Sequence, residues 1–292
     1  VKLMKALYKQ FNSVPTDYLK EKIDLFINED KAEQDLSTLH INQSPKIIKA
    51  HIIAEEEMIF CGQNIIETVF KKNKIKKKCK EGAKLKTGDT IATIKDYHNF
   101  ILTRERVLLN IIQRLSGISS LTNSYVKKLN SNEIKILDTR KTTPGIRLLE
   151  KYAVKIGGGY NHRLDLNSGV MLKDNHLTIL SVEKINTTFS QIIKNHPNTK
   201  LQVEVDTYDQ LKNIIKQSSV KIDAVLLDNM NEKEAKKCAH FIRANAPNCF
   251  IEVSGGINLN NVTRYRNLNI DGISIGSLTH QAVSKNIKIE FE

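Results

Sequence analysis

Between residues 201 and 256 the chain reads LQVEVDTYDQLKNIIKQSSVKIDAVLLDNMNEKEAKKCAHFIRANAPNCFIEVSGG. Three short apolar runs, ending at Asp206, Asp228 and Ser254, alternate with segments of helical character over 208–217 and 232–244. The run ends recur about every 22–26 residues, which is the length of one strand plus one helix in a parallel α/β fold. This stretch therefore predicts successive βα units.

Three more apolar runs extend the pattern in both directions: IKILDT at 134–139, GVMLKD at 169–174 and GISIGS at 272–277. Continuous apolar strands covered by helices are typical of a parallel barrel, whose carboxyl strand ends face one common site. Because six strands are present rather than eight, we predict an α/β fold with an incomplete parallel barrel, and a site at the strand ends.

The first hundred residues have a different pattern. Strand-like stretches over 46–60 and after Gly88-Asp89 follow one another without long helical crossovers, which favours an antiparallel sheet. Helical spacing is present over 17–27, 65–70 and 103–117, and the last of these is predicted to end on Gly117. The alternating tail 287–291 is predicted to add a strand to this first domain.

Composition limits the functional class. The chain has 292 residues, enough for two domains, and 40% of them are hydrophobic. No apolar run approaches the roughly 18–20 residues that span a bilayer. The first residues, VKLMKALYKQF, lack the apolar core and cleavage site of a signal peptide. Four cysteines without CxxC spacing argue against zinc and disulfides, so we predict a cytoplasmic protein that does not bind membranes.

The net charge of +13 raises the question of nucleic-acid binding. The densest basic run, at residues 71–80, has no interleaved aromatic residue and is followed by Glu81-Gly82. We therefore interpret it as a solvated loop or helix end, with steering of anions as the alternative, and predict no nucleic-acid partner.

Cations gather in the segment 137–176, LDTRKTTPGIRLLEKYAVKIGGGYNHRLDLNSGVMLKDNH. Arg140, His162, Arg163 and Lys173 lie beside turn residues or directly after apolar runs rather than on one solvated helix face. Such cations lose hydration unless an anion meets them, and arginine binds a carboxylate through two parallel hydrogen bonds. The set predicts a site for a small carboxylate. The alternative is pairing with internal acids, for which Glu150 and Asp165 are the candidates.

Two further sets lie at later strand ends. Glu204 and Asp228 suit sugar hydroxyls or Mg²⁺, although a general acid/base pair or a structural role remains open. Ser254-Gly255-Gly256 and Ile275-Gly276-Ser277 end the last two strands, where barrels hold phosphate on backbone N–H groups. His280 follows as a further donor or a structural histidine. A carboxylate, a polyol and a phosphate in one site point to phosphoribosyl transfer from phosphoribosyl pyrophosphate.

At these residues the chain resembles the quinolinate phosphoribosyltransferase family, the decarboxylating enzymes also called nicotinate-nucleotide pyrophosphorylases. The resemblance runs from about residue 103 to 282. The segments that carry it are Glu105-Arg106, Leu109-Asn110, 113–118, 139–145, 149–154, 157–159, 161–163, 172–176, 204–206, Asp228-Asn229, 254–257 and 276–280. In the looser first hundred residues, 35–38 (DLST) stands where the family often has a Gly-Asp-x-Thr turn. Asp165 replaces a small residue usual in the family.

The resemblance implies an N-terminal α/β sandwich domain over 1–118, a barrel domain over 119–283, and a final strand at 284–292 that returns to the first domain. It also implies a homodimer in which Arg106 reaches the partner's substrate. The residues expected to bind quinolinate and phosphoribosyl pyrophosphate are Arg106, Thr139, Arg140, Lys141, His162, Arg163, Lys173, Glu204, Asp228, Ser254, Gly255, Gly256, Ile275, Gly276, Ser277 and His280.

The implied chemistry assigns catalytic roles to three of these residues. Lys141 is expected to neutralise the departing pyrophosphate, and Glu204 and Asp228 to hold the ribose hydroxyls and Mg²⁺ and to favour positive charge at C1. The metal is expected to be held mainly through pyrophosphate and water. The products are nicotinate mononucleotide, pyrophosphate and CO₂, a step of NAD biosynthesis.

Three rival functions remain open from the residues. A phosphoribosyltransferase for nicotinate would need fewer cations than this site offers. A barrel aldolase would use Lys173 as a Schiff-base nucleophile. A nucleic-acid-binding module would depend on the basic run at 71–80 rather than on Arg163 and Lys173.

Overall fold

A computed structural model of the chain describes residues 6–40, 44–173, 182–218 and 220–292. Its strands are β1 Ile47–Ala54, β2 Met58–Ile59, β3 Ile75–Lys78, β4 Lys84–Leu85, β5 Thr90–Tyr97, β6 Lys135–Leu137, β7 Val170–Leu172, β8 Leu201–Val205, β9 Ala224–Asp228, β10 Phe250–Ser254, β11 Gly272–Ser274 and β12 Ile287–Phe291. Its α-helices are α1 Thr16–Glu29, α2 Leu36–His40, α3 Gln63–Val69, α4 His98–Leu129, α5 Arg147–Ile156, α6 Val182–Asn195, α7 Tyr208–Gln217, α8 Glu232–Asn245 and α9 Ser277–His280. Short 3₁₀ helices lie at Ala32–Gln34, Lys72–Lys74 and Val262–Tyr265.

The six predicted apolar runs form one parallel sheet in the order β6-β11-β10-β9-β8-β7. All five residues of β8 are buried, as are the first four residues of β9 and of β10. Strands without a polar face need cover on both sides, which is why they read as unbroken apolar runs in the sequence. The predicted parallel α/β fold is confirmed.

The sheet is an incomplete barrel whose edge strands are β6 and β7. Beyond β6, Leu137 forms an isolated parallel bridge with Tyr160, and the two segments exchange hydrogen bonds through Tyr160 N–H to Ile136 O and Asp138 N–H to Tyr160 O. This short pairing gives β6 a second neighbour without a full seventh strand. The segment that follows Tyr160 is thereby brought to the carboxyl end of β6.

Side-chain caps start the helices directly after two central strands. Thr207 caps α7: its hydroxyl accepts a hydrogen bond from the Gln210 backbone amide at 3.2 Å, and the Gln210 side-chain oxygen accepts one from the Thr207 N–H. Asn231 accepts a bond from the Glu234 amide at the start of α8. The caps lie two residues after the end of β8 and three residues after the end of β9, so each helix starts soon after its strand and the polar strand ends stay together.

The second sheet is antiparallel, with the order β12-β1-β5-β3, and β2 pairs with β4 beside it. In the register of the first pair, Ile52 lies opposite Ile289. The predicted return of the tail 287–291 to the first domain is therefore confirmed for β12. The predicted helices over 17–27 and 65–70 correspond to α1 and α3.

The basic run at 71–80 is not a loop or a helix end throughout, so that interpretation is wrong for residues 75–78, which form β3. This strand is the edge of the antiparallel sheet. Two lysines of the basic run have acidic partners: Lys78 in β3 pairs with Glu67, and Lys74, just before β3, lies 3.2 Å from Asp96. Charged residues on an edge strand discourage pairing with other chains, which gives the run a structural purpose.

The helix predicted to end on Gly117 continues instead to Leu129, so the predicted end is wrong. A Cβ atom at Gly117 would overlap the carbonyl oxygen of Val283 and lie 3.1 Å from Cα of Ser284. The glycine therefore permits a close backbone approach inside a helix rather than ending one. Among the described residues, neither α4 nor any other helix is long and apolar enough to cross a membrane.

The chain divides into two compact units, each made of three separate stretches of sequence. The parallel-sheet unit contains the residues up to Gln10, then 124–147 and 159–280. The antiparallel-sheet unit contains 11–123, 148–158 and 281–292. The division of the domains at residues 118 and 283 stays a prediction, whereas the assignment of β12 to the antiparallel sheet is observed.

We predict that Gly117→Ala destabilises the protein because the new methyl group meets the backbone at 283–284. Overpacking of this kind costs roughly 1–3 kcal/mol, and each kcal/mol lowers the unfolding midpoint by about 2–4 °C in a chain of this size. The measurement is the midpoint of thermal unfolding. The matched control is Lys127→Ala, an exposed position on the same helix, where no loss is expected; an equal effect of both changes would contradict the close approach.

Candidate active site

The carboxyl ends of the parallel strands enclose a cavity of about 350 Å³. Every strand of the parallel sheet contributes to its wall or to its rim. The lining residues are Thr139, Arg140, Lys141, His162, Arg163, Met171, Lys173, Glu204, Leu226, Asp228, Glu252, Ser254 and Ser274. Nine of them were predicted from the sequence, and all belong to the parallel-sheet unit.

Arg140 and Lys141 follow β6 on a tight turn. The Lys141 amide donates to the Thr139 hydroxyl at 3.0 Å, and the Lys141 carbonyl accepts a bond from the Thr279 hydroxyl at 2.6 Å. The Nε atom of Arg140 is buried and has no hydrogen-bond partner among the described residues. A buried guanidinium donor of this kind is costly unless a ligand meets it, so Arg140 indicates an anionic ligand.

Arg163 is the most deeply placed arginine of the site, with 6% of its surface exposed. Its Nη1 donates to the Gly169 carbonyl at 2.9 Å, and its Nη2 lies 3.6 Å from the Met171 sulfur. Burial lowers the pKa of Arg163, and Arg140 lowers it further, while Tyr8 and Glu204 act in the opposite direction. Two neighbouring cations with only partial compensation favour the binding of an anion between them.

The segment that carries His162 and Arg163 is fixed by Asp138, the first residue after β6. Asp138 is fully buried; its carboxylate accepts the Asn161 side-chain amide at 2.7 Å and the His162 backbone amide at 2.8 Å. Nδ1 of the His162 ring accepts a hydrogen bond from the Arg163 backbone amide at 2.8 Å. The other ring nitrogen, Nε2, lies 3.4 Å from Glu252 Oε2.

The two acids proposed as internal counter-ions serve other purposes. Glu150 is fully buried and accepts Nε and Nη2 of Arg114 at 3.1 and 2.9 Å in the antiparallel-sheet unit. Asp165 accepts the Ser168 hydroxyl at 2.6 Å and the amides of Asn167 and Ser168, which lower its pKa. Asp165 thus forms a local turn that is compatible with the position of Arg163.

Acidic residues of the central strands form another part of the lining. Glu204 on β8 lies 3.6 Å from the ammonium of Lys173, which follows β7. Asp228 ends β9 and accepts a bond from Asn229 Nδ2 at 2.8 Å. Asn229 has a positive φ of 53°, a left-handed backbone conformation that asparagine adopts more readily than most residues. The cavity therefore has a cationic wall from the segments after β6, Tyr160 and β7, and an acidic wall from β8, β9 and β10.

The glycine turns lie at the rim. Gly255 has φ +96°, and a Cβ there would lie 2.7 Å from the Asn229 amide. A Cβ at Gly276 would lie 2.9 Å from Cδ of Lys141 and 3.2 Å from Nε2 of His280. Gly255 therefore permits a close backbone approach that a side chain would prevent. At Gly276 the atoms nearest a Cβ belong to the side chains of Lys141 and His280, which stand beside the second turn.

Other predicted residues lie outside the cavity wall. Ile275 is buried, and its amide donates to the Leu137 carbonyl at 3.0 Å within the sheet. The hydroxyl oxygens of Ser277 and Tyr125 lie 3.3 Å apart. Arg106 is exposed on α4 in the antiparallel-sheet unit, and its role stays a prediction. Residues 174–176, which belong to a predicted strand end, lie outside the described residues.

Sequence reasoning missed Glu252 and Ser274, which line the floor of the cavity. Glu252 is fully buried, as the single acidic residue of β10. A signal was present, because Glu252 lies two positions before Ser254 in a strand and therefore points to the same side. An acidic residue within an otherwise apolar strand is therefore as strong an indication of a polar site as the cations at the strand ends.

The oxygen donors of the cavity can be judged against the coordination that Mg²⁺ prefers. The described residues contain no group of three or more His, Cys, Asp or Glu side chains able to hold a metal by themselves. Glu204 and Asp228 do line the same cavity from neighbouring strands. Mg²⁺ usually takes one or two carboxylates and completes its shell with water and substrate phosphates, so the two residues fit such an ion.

Comparison with known families agrees with this architecture. The sequence model of the quinolinate phosphoribosyl transferase C-terminal domain matches residues 118–290. The model of the N-terminal domain of the same family matches residues 35–116. Together they cover most of the chain.

Individual relatives span nearly the full length. The chain is 37% identical over 279 residues to the probable nicotinate-nucleotide pyrophosphorylase (carboxylating) of Bacillus subtilis, with 93% of each protein covered. It is 33% identical to that of Methanocaldococcus jannaschii, covering 94% of this chain and 97% of the relative. The solved nicotinate-nucleotide pyrophosphorylase of Francisella tularensis superposes with a TM-score of 0.87 at 32% identity, covering 98% of this chain and 100% of that one.

We predict that phthalate, an aromatic ring with two adjacent carboxylates, raises the thermal unfolding midpoint of the protein more than benzoate does. Binding at a hundredfold excess over Kd stabilises by about 2.7 kcal/mol. Arg140→Gln and Arg163→Gln should abolish most of the shift. Lys72→Gln, which removes one exposed positive charge outside the cavity, should leave it unchanged. Equal loss in all three variants would indicate general charge attraction instead of a carboxylate site.

Proposed function

The chain belongs to the quinolinate phosphoribosyl transferase family, and we propose that it transfers the phosphoribosyl group of phosphoribosyl pyrophosphate to quinolinate with loss of CO₂. The products are nicotinate mononucleotide, pyrophosphate and CO₂, and the reaction belongs to NAD biosynthesis. The observation that carries this proposal is the cavity with one cationic and one acidic wall, because the reaction joins a dicarboxylate to a sugar that develops positive charge.

The cationic wall binds quinolinate in this proposal. Arg140 and Arg163 approach the two carboxylates with guanidinium donors, and Lys173 adds a third charge at the end of β7. Each charge-assisted hydrogen bond contributes roughly 1.5–3 kcal/mol. The buried Nε of Arg140 supports this role, since it has a donor without a described partner.

The acidic wall acts on the sugar. Glu204 and Asp228 accept hydrogen bonds from the ribose hydroxyls, and their negative charge favours the oxocarbenium-like character that develops at C1. The ring nitrogen of quinolinate forms the new bond to C1 as the bond from C1 to pyrophosphate breaks. The electron pair of the broken bond leaves with the pyrophosphate.

The phosphate groups belong at the other end of the cavity. Lys141 and His280 stand beside Gly276, where a backbone without a side chain permits close approach. Lys141 neutralises the leaving pyrophosphate, and the turns at 254–256 and 275–277 hold the 5′-phosphate on backbone donors. If Glu204 and Asp228 hold Mg²⁺, the ion supplies further neutralisation of the pyrophosphate charge.

Decarboxylation follows from the charge on the ring. Bond formation to C1 makes the nitrogen a pyridinium, which stabilises the electron pair left on the adjacent carbon as CO₂ departs. A proton then replaces the carboxylate. The protein's part is to hold the ring in place and to keep water from the cationic sugar.

A nicotinate-specific transferase is the nearest rival. Nicotinate has one carboxylate, which would leave Arg140 or Arg163 without an anion in a buried wall. The family relatives named above also favour the quinolinate reaction. The aldolase alternative requires a Schiff-base lysine desolvated in an apolar pocket, but Lys173 is exposed and its ammonium lies 3.6 Å from the Glu204 carboxylate. The nucleic-acid alternative loses its main support because the basic run contains an edge strand.

We predict turnover of quinolinate, but not of nicotinate, when the protein is incubated with phosphoribosyl pyrophosphate and Mg²⁺. Release of pyrophosphate, CO₂ and nicotinate mononucleotide in equal amounts is the measurement. Glu204→Gln and Lys141→Ala should lower kcat by about 10²–10³, since each removes a charge that acts in the transition state. Lys72→Gln is the control with unchanged activity. Turnover of nicotinate alone would refute the proposed substrate.

We also propose that the enzyme is a homodimer whose sites receive Arg106 from the partner subunit. Arg106 is exposed on α4, so its charge is available to a neighbouring chain. The four cysteines are free thiols, which supports a reducing cytoplasm as the compartment.

Mixed dimers test this assignment. Chains carrying Arg106→Ala and chains carrying Lys173→Ala should each be inactive alone. After co-expression in equal amounts, half of the dimers contain both chains and one complete site, so about a quarter of the wild-type activity should return. Activity is measured per total protein after confirming dimer formation by light scattering. Failure to recover activity in verified mixed dimers would place Arg106 outside the shared site.

A further inference from the structure

The parallel sheet has two open edges, and a segment near the start of the chain lies between them. In the sheet order β6-β11-β10-β9-β8-β7 the edge strands β6 and β7 are not neighbours. Residues 7–10 (LYKQ) belong to the same compact unit as both strands. We call these four residues the strap. Different side chains connect it to the two edges, Gln10 on the β6 side and Tyr8 on the β7 side.

Gln10 attaches the strap to the segment beside β6. Its Nε2 donates to the Asn161 carbonyl at 3.0 Å, and its Oε1 accepts the Asn161 backbone amide at 2.9 Å. Tyr160, the preceding residue, directs its own N–H and carbonyl to β6. In strand-like backbone, successive residues direct these groups to opposite sides, so Gln10 occupies the side that a further strand would take. One side chain thus satisfies both backbone groups of a residue that is only 1% exposed.

Tyr8 attaches the strap to the other edge. A Cβ atom at Gly169, the residue before β7, would lie 2.5 Å from Cε1 of Tyr8, so the ring packs directly on this glycine. The Tyr8 hydroxyl donates to Oε1 of Gln202 on β8 at 2.7 Å. Burial raises the pKa of Tyr8, which keeps the hydroxyl protonated as a donor. The ring also packs against that of His162, with centroids 4.6 Å apart. Tyr8 therefore fixes the strap against β7 and β8 together.

Leu7 seats the strap on the concave side of the sheet. It packs against a cluster formed by Leu137 of β6, Ala224 of β9 and Phe250 of β10, together with Tyr160. Two strands separate β6 from β9 in the sheet order, so these side chains meet only where the sheet curves toward itself. The strap thus fills space inside the incomplete barrel rather than lying on its outer surface.

The loop of residues 161–169 is held by the strap at both ends. This loop carries His162 and Arg163, two of the cations that line the cavity. The strap binds its first residue through two hydrogen bonds and packs on its last residue, Gly169. The Gly169 carbonyl accepts Nη1 of Arg163 at 2.9 Å. The position of this glycine therefore bears directly on the orientation of the guanidinium.

The strap acts on the cavity only through this loop. Neither Tyr8 nor Gln10 is among the residues that line the cavity. The loop has a second anchor in Asp138, which accepts the Asn161 side-chain amide and the His162 backbone amide. Because two anchors share the load, loss of a strap contact should loosen the loop without releasing it.

We propose that Tyr8 and Gln10 are positioning residues for quinolinate: the strap fills the gap between β6 and β7 and fixes both ends of the loop 161–169, so that Arg163 meets the substrate in a preset orientation. The inference rests on the proposed function, since it concerns the carboxylate end of that site. A side chain that is ordered before binding loses less conformational freedom when the ligand arrives. The strap therefore raises the affinity for quinolinate without touching it.

Steady-state kinetics of the full-length protein test this assignment. Gln10→Ala removes both bonds to Asn161, and Tyr8→Phe removes only the hydroxyl. Each should raise KM for quinolinate about threefold to tenfold, the effect of losing a buried hydrogen bond. KM for phosphoribosyl pyrophosphate should stay within about twofold, because its groups bind at other strand ends. The matched controls are Gln191→Ala on α6 and Tyr97→Phe, both at exposed positions, which should change neither constant.

Hydrogen–deuterium exchange of the loop is the second measurement, and it requires no turnover. In Gln10→Ala the amides of residues 160–169 should exchange about tenfold faster than in the wild-type protein, since the loop opens more often. The amides of β8 and β9 should exchange at unchanged rates. Gln191→Ala should match the wild-type protein in all of these segments.

The outcomes separate this inference from the proposed function. Equal rises in both KM values, a fall in kcat alone, or unchanged exchange at residues 160–169 of folded Gln10→Ala would overturn the inference. Absence of quinolinate turnover in the wild-type protein would refute the proposed function, and the exchange rates would still decide whether the strap fixes the loop. If Gln10→Ala does not fold, Tyr8→Phe, which removes a single oxygen atom, undergoes both measurements with the same expected results.

Discussion

The burial of arginine beside the carboxyl ends of the parallel strands is the constraint on which the site depends. Arg163 is almost fully enclosed, and Arg140 lies near enough to lower its pKa further. Removing such cations from water costs several kcal/mol each unless hydrogen bonds and opposite charge compensate. The protein supplies only part of that compensation, through the Gly169 carbonyl and the more distant Glu204. The remainder is available to an anionic ligand as binding energy.

The incomplete barrel makes this arrangement possible. Because the six strands are parallel, their carboxyl ends converge, and the residues after each strand share one cavity. The edge strands β6 and β7 bring the cations, whereas the central strands β8, β9 and β10 bring the acids. The separation of charge across the cavity is therefore a consequence of strand order. It also explains why Glu204 and Asp228 do not simply neutralise both arginines.

Much of this could be predicted from local sequence, and the errors have identifiable causes. The apolar runs and their spacing identified all six parallel strands, and the polar residues that end them identified nine residues of the cavity wall. Gly117 was misinterpreted as a helix end, because a glycine required for close backbone approach looks the same in sequence as a glycine that caps a helix. The lysines of β3 suggested a loop, since edge strands tolerate charge that central strands do not. Glu252 lies inside a strand, so a prediction based on the polar residues that end the strands does not include it.

The sequence by itself determined the parallel α/β fold, the return of the final strand, and the cluster of cations and acids at the strand ends, because strand periodicity and burial are local properties written residue by residue. Only the tertiary structure decided how those groups are paired. It directs Glu150 to Arg114, uses Asp165 for a turn, and connects Tyr8 through Gln202 and Glu252 to His162. Such partners lie up to 194 positions apart in the chain. No local pattern encodes them, since they exist only when distant segments pack together.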